Sequence, residues 1–223
     1  MASLELHTSL SHAPKLEQPA ALVFDLDPGP PADIVLCCQV GLWLRDILSS
    51  HSLEAFPKTS GSKGMQVYVP LNTGVGYDAT KTAALGLAQR LEREHPEAVV
   101  SMMEKARRGG KVFIDWSQND QHKTTVNVYS LRARPRPTVS APVSWEEVEA
   151  CLRAKDASRL VFEAAAVLER VEKRGDLFEP LLTLKQKLPK ALLEGVEAPA
   201  VDPSQRKAAW ARRREVEKVR QPT

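Results

Sequence analysis

The sequence predicts a mixed α+β fold, and three observations carry that prediction. Short apolar runs of strand character alternate irregularly with segments of helical periodicity. The order does not repeat as regular strand–helix units, which argues against a doubly wound parallel sheet. No apolar run approaches the roughly 18 residues that a membrane-spanning helix needs, so no membrane partner is expected. At 223 residues the chain is long enough for one sizeable core and an appended tail.

Residues 1–20 are polar and broken by Pro14 and Pro19, and read as a lead-in. ALVFDLDPG follows as a short buried strand closed by Pro28 and Gly29. Across residues 32–50, Ile34, Val35, Cys38, Leu42, Leu44, Ile47 and Leu48 recur at helical spacing, with Asp33 placed to cap. AFPKTSGSKGMQVYVPL predicts a strand, a Gly/Ser turn and a strand. A helix over residues 78–94 turns Ala83, Ala84, Leu87, Ala88 and Leu91 inward. Residues 99–103 predict a short extended piece, KVFIDW a buried strand, and the alternating TTVNVYSL another. SWEEVEAC carries a serine capping box, and residues 159–173 predict a second amphipathic helix. The core module is therefore expected over residues 21–189, with a basic tail over residues 190–223.

The net charge of +3 is mild, but the basic residues cluster. Lys105, Arg107, Arg108 and Lys111 form one group, and Arg132, Arg134 and Arg136 a second. The tail adds Arg206, Lys207, Arg212, Arg213, Arg214, Lys218 and Arg220. Such clusters favour a polyanionic partner, because contact with phosphates releases counterions. The three cysteines show no metal-ligand spacing, and their odd number argues against a disulfide framework. With no basic start followed by an apolar stretch, the N-terminus does not read as a secretory signal. A cytoplasmic location is expected.

Asp25 and Asp27 carry the first chemical signal. Two apart on a strand, they project from the same face. Two carboxylates at the end of an apolar strand repel each other and resist burial, and a divalent cation with a preference for hard oxygen ligands resolves the conflict. The pattern alone is more often that of two solvent-facing aspartates at a strand end. Asp115 in VFIDWSQ interrupts a second apolar strand. Three carboxylates from two strands can hold two Mg²⁺ or Mn²⁺ ions about 3.5–4 Å apart, which suits in-line displacement at phosphorus. Between the two acidic strands lies SGSKG, whose glycines permit a tight turn with backbone N–H groups available to phosphate and with Lys63 adding charge. It lacks the spacing of a Walker A loop.

FDLDPG, SGSKGMQVYVPL, VFIDWSQND and KTTVNVYSLRARPRPTVSAPVSW, in that order, resemble the polymerase domain of bacterial DNA ligase D. That domain belongs to the archaeo-eukaryotic primase superfamily, and the resemblance runs over residues 4–189. It implies an RRM-like antiparallel or mixed catalytic sheet with flanking helices. It also implies addition of nucleotides, often ribonucleotides, to DNA ends or gaps during repair by end joining. By position, Asp25 and Asp27 look like ligands of both metals and Asp115 of the catalytic one. Ser60, Ser62 and Lys63 look like the phosphate-binding turn. Gln118 and Arg132 match positions near the incoming nucleotide, as does His7 in LHT, and Lys123 is a candidate for the DNA side with Lys105, Arg107, Arg108, Lys111, Arg134 and Arg136. A Ku-type end-binding protein and an ATP-dependent ligase are the implied protein partners.

Two departures stand out. Where the family often has a histidine six residues after Ser60, contacting the triphosphate, this chain has Gln66, which donates without charge. Only the end of the region that precedes FDLDPG in the family has a counterpart, and no KxDG ligase motif occurs, so a stand-alone, N-terminally shortened module is expected. The alternative to a nucleotidyltransferase is a catalytically weak module that binds DNA ends or nucleotides beside a ligase. A pure scaffold leaves the three acids unexplained.

Overall fold

The computed structural model describes residues 5–194. The basic residues of the tail from Arg206 onward lie outside this range. The elements are β1 (His7–Thr8), β2 (Ala21–Pro28), α1 (Ile34–Ser50), β3 (Phe56–Thr59), β4 (Met65–Pro70), α2 (Tyr77–Glu94), β5 (Val99–Val100), β6 (Val112–Asp115), β7 (Thr125–Val126), α3 (Trp145–Ala154), α4 (Ala164–Arg174) and α5 (Pro180–Thr183).

Five strands form one sheet in the order β3-β4-β2-β6-β5. All neighbours are antiparallel except β5 and β6. The architecture is the α+β one the element order predicts. Alternation along β2 assigns the two faces of the sheet. Leu22, Phe24 and Leu26 enter the main core with Cys37, Leu44 and Leu48 of α1 and Ala84, Leu87 and Leu91 of α2. Ala21 and Val23 face the other way, into a smaller cluster with Leu10, Tyr68 and Phe178. Asp25 and Asp27 continue that second face.

Local chemistry explains where the helices begin. Asp33 accepts the Val35 N–H at 2.8 Å and caps α1. The predicted capping box opens α3: Ser144 accepts from Glu147 N–H, and the Glu147 carboxylate accepts from Ser144 N–H. The five residues predicted to line the inner face of α2 are all buried. The cysteines Cys37, Cys38 and Cys151 are buried free thiols.

Two predicted elements come out differently. TTVNVYSL pairs with β1 only at Thr125–Val126; Tyr129 then adopts a left-handed backbone (φ 63°), and beyond it the chain bonds to residues 138–140 instead, with an isolated bridge between Leu131 and Val139. The helix expected over residues 159–173 starts later, as α4. Asp156 caps a short 3-10 turn at Ala157–Leu160, and the Phe162 carbonyl then accepts from Val139 N–H at 2.8 Å, holding that stretch extended. The main core also continues past residue 189, since Leu192 is buried in it. In the lead-in, β1 pairs with β7, and Leu10 is buried.

Asn119 does for β2 what a strand would do. Its amide accepts from Val23 N–H at 3.0 Å and donates to the Val23 carbonyl at 2.7 Å and the Trp116 carbonyl at 3.0 Å. Pairing of β2 with β6 stops at Asp25–Asp115, and this buried side chain completes the ladder beyond it. Asn119→Ala should therefore lower unfolding stability by about 2–4 kcal/mol, the cost of stranding a buried N–H and carbonyl. Urea denaturation with an unchanged midpoint would contradict that role.

Candidate active site

The acids are brought together by strand register. Asp25 pairs directly with Asp115 across β2 and β6, and Asp27 lies two residues further along β2. Directly paired residues share a face, so all three carboxylates converge at one end of the sheet. Burial, then the charges of Asp27 and Asp115, push the Asp25 carboxyl up to about 7. Asp27 is exposed at the strand end. Desolvation and Asp115 raise its carboxyl, against the pull of Arg108 and Lys63.

Asp115 is turned toward its own loop: its Oδ1 accepts from Ser117 N–H at 3.0 Å and from the Ser117 hydroxyl at 2.5 Å. Lys123 donates in turn to that hydroxyl, which brings its ammonium close to Asp115. Among the described residues, no three or more His, Cys, Asp or Glu side chains are grouped so that they could hold a metal ion.

A polar row crosses four strands at this level: Lys58, Gln66, Asp25 and Asp115, each paired with the next. Gln66 is buried. Its amide donates to Thr125 Oγ1 at 2.8 Å, and its oxygen accepts from Tyr68 at 3.4 Å, so its side chain is engaged within the sheet face. Its bond to Asp25 partly offsets the burial of that carboxyl. Lys58 was not singled out from the sequence. It is fully buried and donates to Ser140 Oγ at 2.6 Å. Burial pulls its ammonium down to about 7, against the attraction of Asp25. A lysine in an otherwise apolar strand, FPKT, was the available signal.

The turn between β3 and β4 rests on the acidic strand. A Cβ at Gly64 would lie 2.0 Å from the Leu26 carbonyl oxygen, between Asp25 and Asp27, so only glycine allows this approach. Gly61 has φ +64°. Ser60 organises the turn from inside, its hydroxyl accepting from Ser62 N–H at 3.2 Å and Gly64 N–H at 3.3 Å. Two N–H groups expected to face phosphate are thus turned inward, because the hydroxyl at the head of the turn reaches them first. Lys63 is exposed, and its charge acts on Asp27.

The turn is also held from outside. Arg132 donates to the Ser60 carbonyl at 2.8 Å, Arg134 to Ser62 Oγ, and Thr138 to the Gly61 carbonyl at 2.5 Å. Arg134 thus braces the turn. Arg136 is paired with Glu163. In the other basic group, Lys105 and Arg107 are exposed on a 3-10 turn, with Arg107 3.1 Å from Glu104. Arg108 lies 3.8 Å over the Phe113 ring, where its charge reaches Asp27, whereas Lys111 donates to the Pro96 carbonyl at 2.6 Å. Gln118 follows the Asp115 strand with its Oε1 buried and without a hydrogen-bond partner. His7 is exposed on β1, its Nε2 3.3 Å from the Glu5 carboxylate. A cavity of about 320 Å³ lies behind the turn, lined by Pro28, Ile34, Lys63, Leu160 and Phe162, and none of the three aspartates borders it.

The chain is similar to known proteins over most of its length. The family described as LigD, primase-polymerase domain, matches residues 1–178. The multifunctional non-homologous end joining protein LigD of Mycolicibacterium smegmatis is 40% identical over 182 residues, 81% of this chain and 23% of that protein. The Pseudomonas aeruginosa protein of that name is 40% identical over 152 residues, 67% of this chain and 18% of its own length. The chain thus spans about a quarter or less of these relatives. Among solved structures, the polymerase domain from Mycobacterium tuberculosis ligase D in complex with DNA superposes with a TM-score of 0.73 at 39% identity, covering 82% of this chain and 64% of that one. The resemblance in the sequence and the α+β architecture are thereby accounted for together: the chain belongs to the LigD primase-polymerase domain family.

Proposed function

We propose that this chain is a metal-dependent nucleotidyltransferase of the primase-polymerase type, adding nucleotides, ribonucleotides included, to DNA ends or gaps in end joining. The observation that carries the reading is the direct Asp25–Asp115 pairing, with Asp27 beside it, on one face of the sheet. Three carboxylates within mutual repulsion, one raised to about 7, fit a donor set completed by Mg²⁺ or Mn²⁺. Asp25, Asp27 and Asp115 would hold the cations, with Asp115 turning from Ser117 to do so.

In the reaction the 3′-hydroxyl of the DNA end attacks the α-phosphorus of the nucleotide, its proton leaves, and pyrophosphate departs. Cations held by Asp25, Asp27 and Asp115 would supply activation of the hydroxyl and charge neutralisation at phosphorus. Lys63, beside Asp27, and Arg132, on the Ser60 carbonyl, offset the triphosphate charge. Lys105 and Arg107 are exposed for DNA phosphates. The end-joining names of the relatives support a setting in end joining; a Ku-type end-binding protein and an ATP-dependent ligase, at the nucleoid in the cytoplasm, are part of the same proposal. Among the described residues no helix is long and apolar enough to cross a membrane.

The second reading, a binding module without appreciable catalysis, is favoured by two observations: Asp115 is engaged by Ser117, and no closed metal cage is formed among the described residues. Extension assays separate the two. Asp115→Ala should abolish extension of a recessed DNA end in Mg²⁺ or Mn²⁺. DNA affinity should stay equal or tighten, because a negative charge beside the polyanion is gone. The wild-type affinity should fall with salt at a log–log slope near −0.9 per phosphate neutralised. A wild type inactive in both metals would establish the binding module instead.

Asp25 also makes stability depend on pH. Its folded-state carboxyl titrates at about 7 against an ordinary 3.8, so the folded chain holds a proton that the unfolded chain has lost. This group's contribution to stability therefore falls as pH rises from about 4 to about 7. In chelator, Asp25→Asn should raise stability above pH 7 by up to about 4 kcal/mol, with the gain vanishing near pH 4. Guanidinium unfolding at pH 8 with no gain over the wild type would show that Asp25 is not under electrostatic stress.

A further inference from the structure

Glu5 stands immediately before the LHT segment and reaches His7 and the distant Arg132–Ala133 pair. Its Oε1 accepts from Ala133 N–H at 2.9 Å and from Arg132 Nε at 3.2 Å, while its Oε2 lies 3.3 Å from His7 Nε2. Arg132 uses its other side, Nη1, to donate to the Ser60 carbonyl at the head of the turn. The guanidinium is thus clamped between a carboxylate and a backbone oxygen, with its side chain only 21% exposed.

The segment that brings Glu5 there is itself anchored. Leu6 N–H donates to Ser130 Oγ at 2.8 Å, and Asn127 N–H donates to the Leu6 carbonyl at 2.9 Å. β1 pairs with β7, whose Thr125 receives the Gln66 amide beside Asp25. The Ala133 N–H bond, His7 and the Arg132 charge hold the Glu5 carboxyl down at about 2, so it is ionised throughout the neutral range.

We propose that Glu5 is a positioning residue for the nucleotide site: it fixes the Arg132 guanidinium against the phosphate turn so that Arg132 meets the triphosphate of the incoming nucleotide in one orientation. The inference rests on the nucleotidyl-transfer reading and adds a residue that acts through Arg132 without touching the substrate. An arginine fork already oriented by a carboxylate loses less freedom when it binds phosphate than one that must first be ordered.

The test uses Glu5→Ala, Glu5→Gln, Arg132→Ala and the Glu5→Ala/Arg132→Ala double variant. Two quantities are read: ATP affinity in Mn²⁺ without DNA, by titration calorimetry, and KM and kcat for extension. Glu5→Ala should weaken ATP binding and raise KM about tenfold, with kcat changed less than about twofold, because uniform binding is what is lost. Glu5→Gln should recover most of the affinity, since its amide oxygen still accepts from Ala133 and Arg132. This variant also guards against misfolding of the alanine form. The double variant should bind ATP no worse than Arg132→Ala alone, the signature of two residues acting as one unit. Unchanged or tighter ATP binding by Glu5→Ala overturns the inference, as do losses that multiply in the double variant. A wild type that neither binds ATP nor extends DNA would sink the nucleotidyl-transfer reading and this inference together.

Discussion

The structure turns on a repulsion that the chain does not relieve by itself. Antiparallel pairing of β2 with β6 sets Asp25 opposite Asp115, and the strand period adds Asp27 on the same face. Like charges directly opposite one another destabilise a sheet, and partial burial sharpens the effect. Much of the surrounding architecture keeps these groups in place. Asn119 completes the ladder of β2 where β6 leaves it, Gln66 bonds to Asp25 from β4, and Ser117 holds Asp115. The two helices on the opposite face supply the apolar burial that makes such an arrangement affordable.

The same logic places the turn. Gly64 sits against the Leu26 carbonyl, so the segment expected to meet phosphate is in backbone contact with the acidic strand. That contact leaves no room for a side chain, and it sets the cationic Lys63 beside Asp27. Arginines from the segment after β7 then brace the turn from outside. The basic residues are therefore engaged in different ways. Arg132 and Arg134 hold the turn, Arg108 and Lys123 lean toward the acids, and Arg136 pairs with Glu163.

What was legible in the sequence follows from how local each signal is. The i, i+2 spacing of Asp25 and Asp27 assigns a shared face with no knowledge of the fold. The inner face of α2 and the Ser144 capping box are likewise written in a few adjacent residues, and both are present. Lys58, Asn119 and Glu5 were not legible, because their roles exist only through register or through partners far along the chain, whereas Ser117 acts on Asp115 two residues before it. Glu5 and Arg132 are 127 residues apart in sequence. The segment after Thr125 shows the opposite failure: its alternating pattern is real, but Tyr129 turns the backbone, so the segment pairs in two pieces with different partners rather than as one strand. The helix expected from residue 159 starts late for a similar reason, since a backbone bond from Val139 claims Phe162.

The central claim is that the three carboxylates form one divalent-cation site, and Mn²⁺ binding tests it most directly. Titration of Mn²⁺ followed by electron paramagnetic resonance, with ATP present, should show saturable binding by the wild type beyond that of ATP alone. Asp25→Asn and Asp115→Asn should each remove that excess, although the residues lie on different strands. Excess binding that survives either substitution undiminished would contradict a shared site.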